Sequence, residues 1–436
     1  MPVPAALARA RFPEPVLDVL RTLGAAGHRS WLVGGAVRDL LLHRRRAAAD
    51  FDVATPARPE QVASLFSRVI PTGVEHGTVT VLSRGEPVEV TTFRGEGAYR
   101  DGRRPESVTF LTELEEDLAR RDFTMNALAF DPLGREFRDP FGGRADLRRR
   151  RVRAVGDPAA RFGEDGLRAM RAVRFVSQLG FELDPATRRA VPGALPVVQR
   201  VAVERITDEL SKLLVARGAA AAVRLLRATG LLGVVLPKLA ALPGGQLDHA
   251  VAVMGFAPPE LAARLAALLH RLGPDEAPGA LAGLRLARAA SDEALALVRA
   301  FPCRRRDGTG LPGPEPAGIR RWLAGVESGR TAALLGLAAA EARALRPGRR
   351  ARAAAQVRSL KARVLAVLRR SPPLSVRDLA LDGRQVALEL GTEPGPLVGE
   401  ALRHLLDRVL DHPEENEAER LRAALREWSA RPGGRV

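Results

Sequence analysis

The run Trp31-Leu32-Val33-Gly34-Gly35-Ala36-Val37-Arg38-Asp39, followed by Asp50-Phe51-Asp52-Val53-Ala54-Thr55, restricts the fold more than any other part of this 436-residue chain. Trp31, Leu32 and Val33 read as a buried strand. Gly34-Gly35 then lets the backbone turn tightly and open a helix. The first N–H groups of that helix point outward at its positive end, so the turn suits a triphosphate, with Gly34, Gly35 and Arg38 as its holders. In Asp50-Phe51-Asp52 the side chains alternate. The two aspartates therefore share a strand face about 6.6 Å apart while Phe51 turns into the core. Carboxylates in that position suit two divalent ions, Mg²⁺ by the hardness of the oxygen donors, roughly 4 Å apart.

An Asp-x-Asp pair alone is also what a solvated strand end looks like, and the neighbouring sequence decides between the two. Val88 to Arg94 is a second β-rich run, in which an inward Glu89 supplies a third metal-facing carboxylate beside Asp50 and Asp52. Between them, His76 to Val81 alternates like another strand of the same small sheet.

Taken together, these residues resemble a known family. GGAVRD followed by DFDVAT is similar to the head of the class II tRNA nucleotidyltransferases and bacterial poly(A) polymerases of the polymerase-beta superfamily. The resemblance continues in order. Arg120-Arg121-Asp122-Phe123-Thr124-Met125-Asn126-Ala127 resembles the family's RRDFTxNA segment, which implies ribose and triphosphate contacts for Arg121, Asp122 and Asn126. Asp139 to Gly143 with Asp146-Leu147 resembles the turn joining head to neck. Glu164-Asp165 through Arg168, Arg171, Arg174 and Phe175 looks like the base-reading EDxxRxxRxxRF helix. Glu204-Arg205-Ile206 with Glu209, Leu210 and Lys212 resembles the helix that closes the neck. Five ordered motifs across the first half of the chain are far more specific than any one of them.

The Glu164-Asp165 segment also carries its own chemistry. On a helix Asp165 and Arg168 would project side by side, a carboxylate to accept and a guanidinium to donate. Such a pair meets the exocyclic amine and ring nitrogen of cytosine or adenine without a nucleic-acid template. Uracil and guanine present the opposite pattern and leave a buried group unpaired. An isolated i,i+3 ion pair is the alternative use of the same residues.

The resemblance implies an α+β enzyme that adds CCA to the 3′ end of tRNA from CTP and ATP. The other outcomes it allows are CC-only or A-only addition and poly(A) tailing; a catalytically silent RNA-binding protein is the non-enzyme reading. Thr72 to Val81, the GEDGLRAMR wording and a tail resembling that of CCA-adding enzymes, Leu381-Asp382-Gly383 with Glu393 to Glu400, favour tRNA as substrate. Arg94 to Pro105 resembles the flexible loop associated with switching from C to A.

Composition agrees with a polyanionic partner. The formal net charge is +17 with a pI near 11.3. Only Lys212, Lys238 and Lys361 are lysines, so the charge is carried by arginine, including the runs Arg44 to Arg46, Arg148 to Arg151 and Arg304 to Arg306. Cys303 is the single cysteine, which excludes an intramolecular disulfide and a Cys-based metal site and suits a reducing cytoplasm. Prolines and arginines break up the first fifteen residues, so no secretory signal is expected, and stretches such as Ala332 to Ala340 are too short to span a bilayer.

After about residue 150, β-rich alternation gives way to Ala/Leu/Arg helical periodicity. The expected division is a nucleotidyltransferase head with a small mixed sheet over residues 1–150, a base-reading neck over 151–215, a helical body over 216–350 with a Gly/Pro-rich loop at 304–318, and a tRNA-binding helical tail over 351–436. In the body, Leu268 to Gly273 resembles the HD segment of the phosphohydrolase domain some tRNA nucleotidyltransferases carry, with Arg271 where the aspartate stands. No hydrolase activity is therefore expected, and His249 and His270 read as ordinary, partly buried residues.

Overall fold

The computed structural model describes residues 1–44, 51–96, 108–301, 312–326 and 328–430. Asp50, Arg45, Arg46, Cys303, Arg304 to Arg306 and most of the segment from Arg94 to Pro105 lie outside the described residues. The chain forms two compact units, residues 1–241 with 280–286 and residues 242–279 with 287–436.

A seven-stranded mixed sheet organises the first unit. In chain order the strands are β1 (Trp31–Val33), β2 (Asp52–Thr55), β3 (Val69–Gly73), β4 (Thr78–Ser83), β5 (Glu86–Thr92), β6 (Arg94–Glu96), β7 (Val108–Phe110), β8 (Ala129–Asp131) and β9 (Glu136–Arg138). The sheet runs β3-β4-β5-β2-β1-β8-β9, and β6 pairs with β7 apart from it. Only the β2·β5 contact within this sheet is parallel. All three residues of β1 are buried, because Trp31 and Val33 pack with Phe93, Leu114, Leu118 and Val155 on one face while Leu32 turns to the other. A central strand covered on both faces has to be apolar throughout, as this one is.

Beyond residue 150 the described residues are mainly helical, with a little β-structure: Ala154 forms an isolated antiparallel bridge to Phe123. Arg151–Val152 and Glu182–Leu183 form a short parallel pair, a departure from the all-helical reading. Periodicity over two residues carries no signal, so tertiary context alone creates it.

The second unit is helical wherever described. Its C-terminal core gathers Val386, Val398, Leu405, Val409 and Leu425 from the helices Gly383–Leu390, Pro396–Asp411 and Ala418–Ser429, with Leu381 from the segment just ahead of the first. Asp382 caps the first of these with a reciprocal bond pair to Gln385, at 2.8 and 2.9 Å. Pro394-Gly395-Pro396, which reads as a helix breaker, places Pro396 in the first turn of the second. No helix among the described residues is long and apolar enough to cross a membrane.

Candidate active site

Gly34 has φ 70° and ψ −130°, a conformation that L side chains rarely adopt, and the helix Gly35–Leu41 starts directly after it. A methyl group here would come within 3.0 Å of Arg121 Nη1 and 3.9 Å of Asp52 Oδ2. The glycine thus brings the turn, a carboxylate and a guanidinium together at one point. Asp52 is half-buried at the start of β2, between Val33 of β1 and Glu89 of β5. Residues in parallel register present side chains to the same sheet face, so Asp52 and Glu89 form a two-carboxylate edge of hard oxygen donors that fits Mg²⁺. Glu89 is exposed, and Phe51 is buried.

Asp52 also lines a cavity of about 490 Å³ walled by eight arginines and three aspartates, a formal excess of five positive charges. Gly34, Gly35, Arg38, Arg121, Asp122, Asn126, Asp165, Arg168, Arg171 and Arg174 all face it. Arg94, Arg120, Phe175 and Arg205 complete the wall. Arg94 and Arg205 were missed in the sequence as site residues: Arg94 reads only as the last residue of the β-rich run Val88 to Arg94, and the structure makes it the first of β6, while Arg205 sits in a motif whose periodicity reads as packing.

Buried carboxylates hold these guanidiniums in place. Asp117, 1% exposed, accepts from Arg120 at 2.7 and 3.0 Å and from Arg121 at 3.0 Å. Burial raises its pKa, but the charges and hydrogen bonds of Arg121 and Arg120 outweigh that and hold it below the usual carboxylate range. Asp122 binds Arg171 at 2.6 and 2.8 Å and accepts from Asn126 Nδ2 at 2.9 Å and the Phe123 N–H at 2.8 Å. Here too burial pushes the pKa up, and the Arg171 charge with these bonds brings it below the usual value. Asn126 Oδ1 in turn accepts from Arg38 Nη1 at 2.7 Å. Phe175 lies at the centre, with the guanidiniums of Arg174, Arg38 and Arg171 at 4.1, 5.2 and 5.9 Å from its ring.

The geometry of Asp165 and Arg168 differs from the expectation of one continuous helix. The helix Pro158–Glu164 ends before Asp165, which is extended at φ −141° and ψ 107°, and a new helix, Leu167–Leu179, begins two residues on. Gly166 allows the break by close approach: a Cβ there would meet the Val198 backbone nitrogen at 2.6 Å. Asp165 Oδ1 accepts from the Leu167 N–H at 2.9 Å, and Oδ2 lies 3.4 Å from Arg205. Arg168 pairs with Glu164 and donates to the carbonyls of Arg161 and Arg120 at 3.3 and 3.2 Å. The continuous helix that would set them three apart on one face is therefore broken, and Asp165 and Arg168 reach the same cavity from different backbone contexts.

Comparison with known proteins identifies the family. The family described as poly A polymerase head domain matches residues 30–153, and the one described as probable RNA and SrmB-binding site of polymerase A matches residues 180–242. A CCA-adding enzyme of Geobacillus stearothermophilus is 41% identical over 425 residues, covering 95% of this chain and 96% of its own. The chain belongs to the CCA-adding enzyme family. A second CCA-adding enzyme, from Geobacillus thermodenitrificans, is 41% identical over 422 residues, with 95% and 97% covered. Among solved structures, a Bacillus stearothermophilus CCA-adding enzyme in complex with CTP superposes with a TM-score of 0.75 at 37% identity, covering 95% of this chain and 96% of that one. A Thermotoga maritima CCA-adding enzyme complexed with tRNA shares the fold at a TM-score of 0.68 and 18% identity, with 98% of each chain covered.

Proposed function

We propose that this chain adds C, C and A in turn to the 3′ end of tRNA, from CTP and ATP and without a nucleic-acid template, in the cytoplasm. The observation that carries this reading is one arginine-walled cavity with Asp52 and the Gly34-Gly35 turn on its wall together with Asp165 and Arg168. A triphosphate suits its charge, and the acceptor and donor suit the Watson–Crick edges of cytosine and adenine.

Gly34, Gly35 and Arg38 hold the triphosphate, with Arg121 beside them. Asn126 and Arg171 face the ribose, and Asp122 acts there by holding both. Asp50, Asp52 and Glu89 are the carboxylates for Mg²⁺, which when bound activates the attacking 3′-hydroxyl and neutralises the leaving pyrophosphate. Asp165 and Arg168 choose the base, with Arg174 beside them on the cavity wall and fixed by Glu209 and Phe175. Most of the work is positioning and charge stabilisation by groups already fixed before substrate arrives.

Product length tests the reading. Purified protein with Mg²⁺ is given tRNA lacking CCA, tRNA lacking only the A, or an unstructured RNA, with labelled CTP, ATP or both. Three residues added to the first transcript are expected. One A on the second transcript alone would mean an A-adding enzyme, long A tails on any RNA a poly(A) polymerase, and no product a binding protein.

Base selection has its own test. Arg168→Ala is expected to lower the preference for CTP over UTP by about 10- to 100-fold, the range lost when a buried recognition bond of 1–3 kcal/mol disappears. Because this readout is a ratio, a general loss of activity leaves it unaffected. Unchanged discrimination would remove Arg168 from base reading.

A further inference from the structure

Three helices of the second unit converge on His249, His270 and Glu341. His249 lies in the helix Gly244–Phe256, His270 caps the end of Leu261–Leu269, and Glu341 lies in Thr331–Ala344. Their nearest donor atoms all fall within 4.8 Å of one another. His249 Nε2 is 2.9 and 3.0 Å from the two oxygens of Glu341, and His270 Nε2 is 3.8 Å from Oε2. The carboxylate comes from 92 residues beyond His249, which is why no local motif announces the group.

We propose that His249, His270 and Glu341 bind one divalent cation of the zinc class, which ties these three helices together.

Geometry supports the assignment first. Tetrahedral zinc with bonds of 2.0–2.1 Å sets its ligand atoms roughly 3.3 Å apart. The observed separations of 2.9, 3.0 and 3.8 Å bracket that edge. The tautomer of His270 comes next. Its Nδ1 lies 2.7 Å from the Ala267 carbonyl, which only accepts, so Nδ1 carries the proton and the neutral ring presents its lone pair at Nε2. That lone pair faces a carboxylate oxygen, an arrangement a cation relieves. A histidine whose far nitrogen donates to a backbone carbonyl is also how metal-ligating imidazoles are oriented. Phe301 stacks on the ring at 4.4 Å and 11°, fixing its plane.

Two nitrogens and one carboxylate favour zinc, cobalt or nickel over magnesium or calcium. The site therefore differs in selectivity from the carboxylates at Asp52. Arg271, 3.7 Å from Glu341 Oε1, balances one oxygen and leaves Oε2 to the cation.

The test uses the full chain, stripped with a chelator, kept in millimolar Mg²⁺ and titrated with Zn²⁺ against a chromophoric competitor, then with Co²⁺ by visible absorption. One equivalent is expected in the wild type and equally in Asp52→Asn, which rules out the head carboxylates as its ligands. Glu341→Gln, nearly isosteric, should weaken binding roughly 100-fold or more, abolish the cobalt bands and remove the Zn²⁺-dependent rise in melting temperature. CTP incorporation in Mg²⁺ should be unchanged in that variant. No stoichiometric Zn²⁺ in the wild type, or equal affinity in Glu341→Gln, would overturn the proposal. Should Glu341→Gln not fold, His249→Gln, at a partly exposed position, gives the same reading.

Discussion

Asp52→Ala is expected to lower nucleotide addition on the order of 10³-fold or more, a loss of about 4 kcal/mol of transition-state stabilisation, while tRNA affinity stays within about twofold. The carboxylate faces the Gly34 turn on one side and stands in register with Glu89 on the other, the position from which the proposed transfer would draw its charge stabilisation. RNA affinity, by contrast, comes mainly from arginine contacts to phosphate and falls with salt. The two readouts should therefore separate: single-turnover incorporation of labelled CTP collapses, and the binding isotherm with its salt slope is preserved. Asp52 is half-buried at a strand end, so circular dichroism should show an intact fold. Residual turnover within tenfold of the wild type would remove Asp52 from the catalytic centre.

The parts of this site that were legible in the sequence are those in which local chemistry and local geometry coincide. The apolar triplet ahead of Gly34-Gly35 reads as a buried strand entering a tight turn, and two β-rich runs put Asp52 and Glu89 in one small sheet, whereas the parallel register that sets them side by side is visible only in the structure. Asp165 and Arg168 show the opposite case. Helical spacing predicted adjacency, but Gly166 packs against the Val198 backbone and breaks the helix between them, a constraint set by a residue 32 positions away. Ion pairing was equally hidden. Nothing near Asp122 in the chain reveals that its partner is Arg171, 49 residues on, or that Glu341 closes a group with His249 and His270. Periodicity reports which face is buried and is silent about which charges meet there.

The second large effect is expected at Asp122, and it is one of stability as much as of catalysis. Asp122 is buried, and its four hydrogen-bond donors come from Arg171, Asn126 and the Phe123 backbone. Asp122→Ala leaves the Arg171 guanidinium without its counter-charge in a cavity already rich in arginine. Removing one partner of a buried pair costs about 3–5 kcal/mol; because the Arg171 side chain is 36% exposed and hydrates in part, about 2–4 kcal/mol is expected here. At ~2–4 °C per kcal/mol for a domain of this size, the melting temperature of the first unit should fall by an easily measured margin. Nucleotide addition should fall on the order of 10²-fold, since Asn126 and through it Arg38 lose their orientation. The pH dependence fixes the cause. The folded-state pKa of Asp122 lies below the ordinary value of about 3.9, so its contribution is fully present above that pH and is lost as pH falls through the lower, folded-state value. The stability difference between wild type and Asp122→Ala should accordingly be flat from about pH 5 to 8 and shrink below about pH 4. A difference that persists undiminished in acid would mean that packing, and not the charge on Asp122, holds Arg171 and Asn126 at the cavity wall.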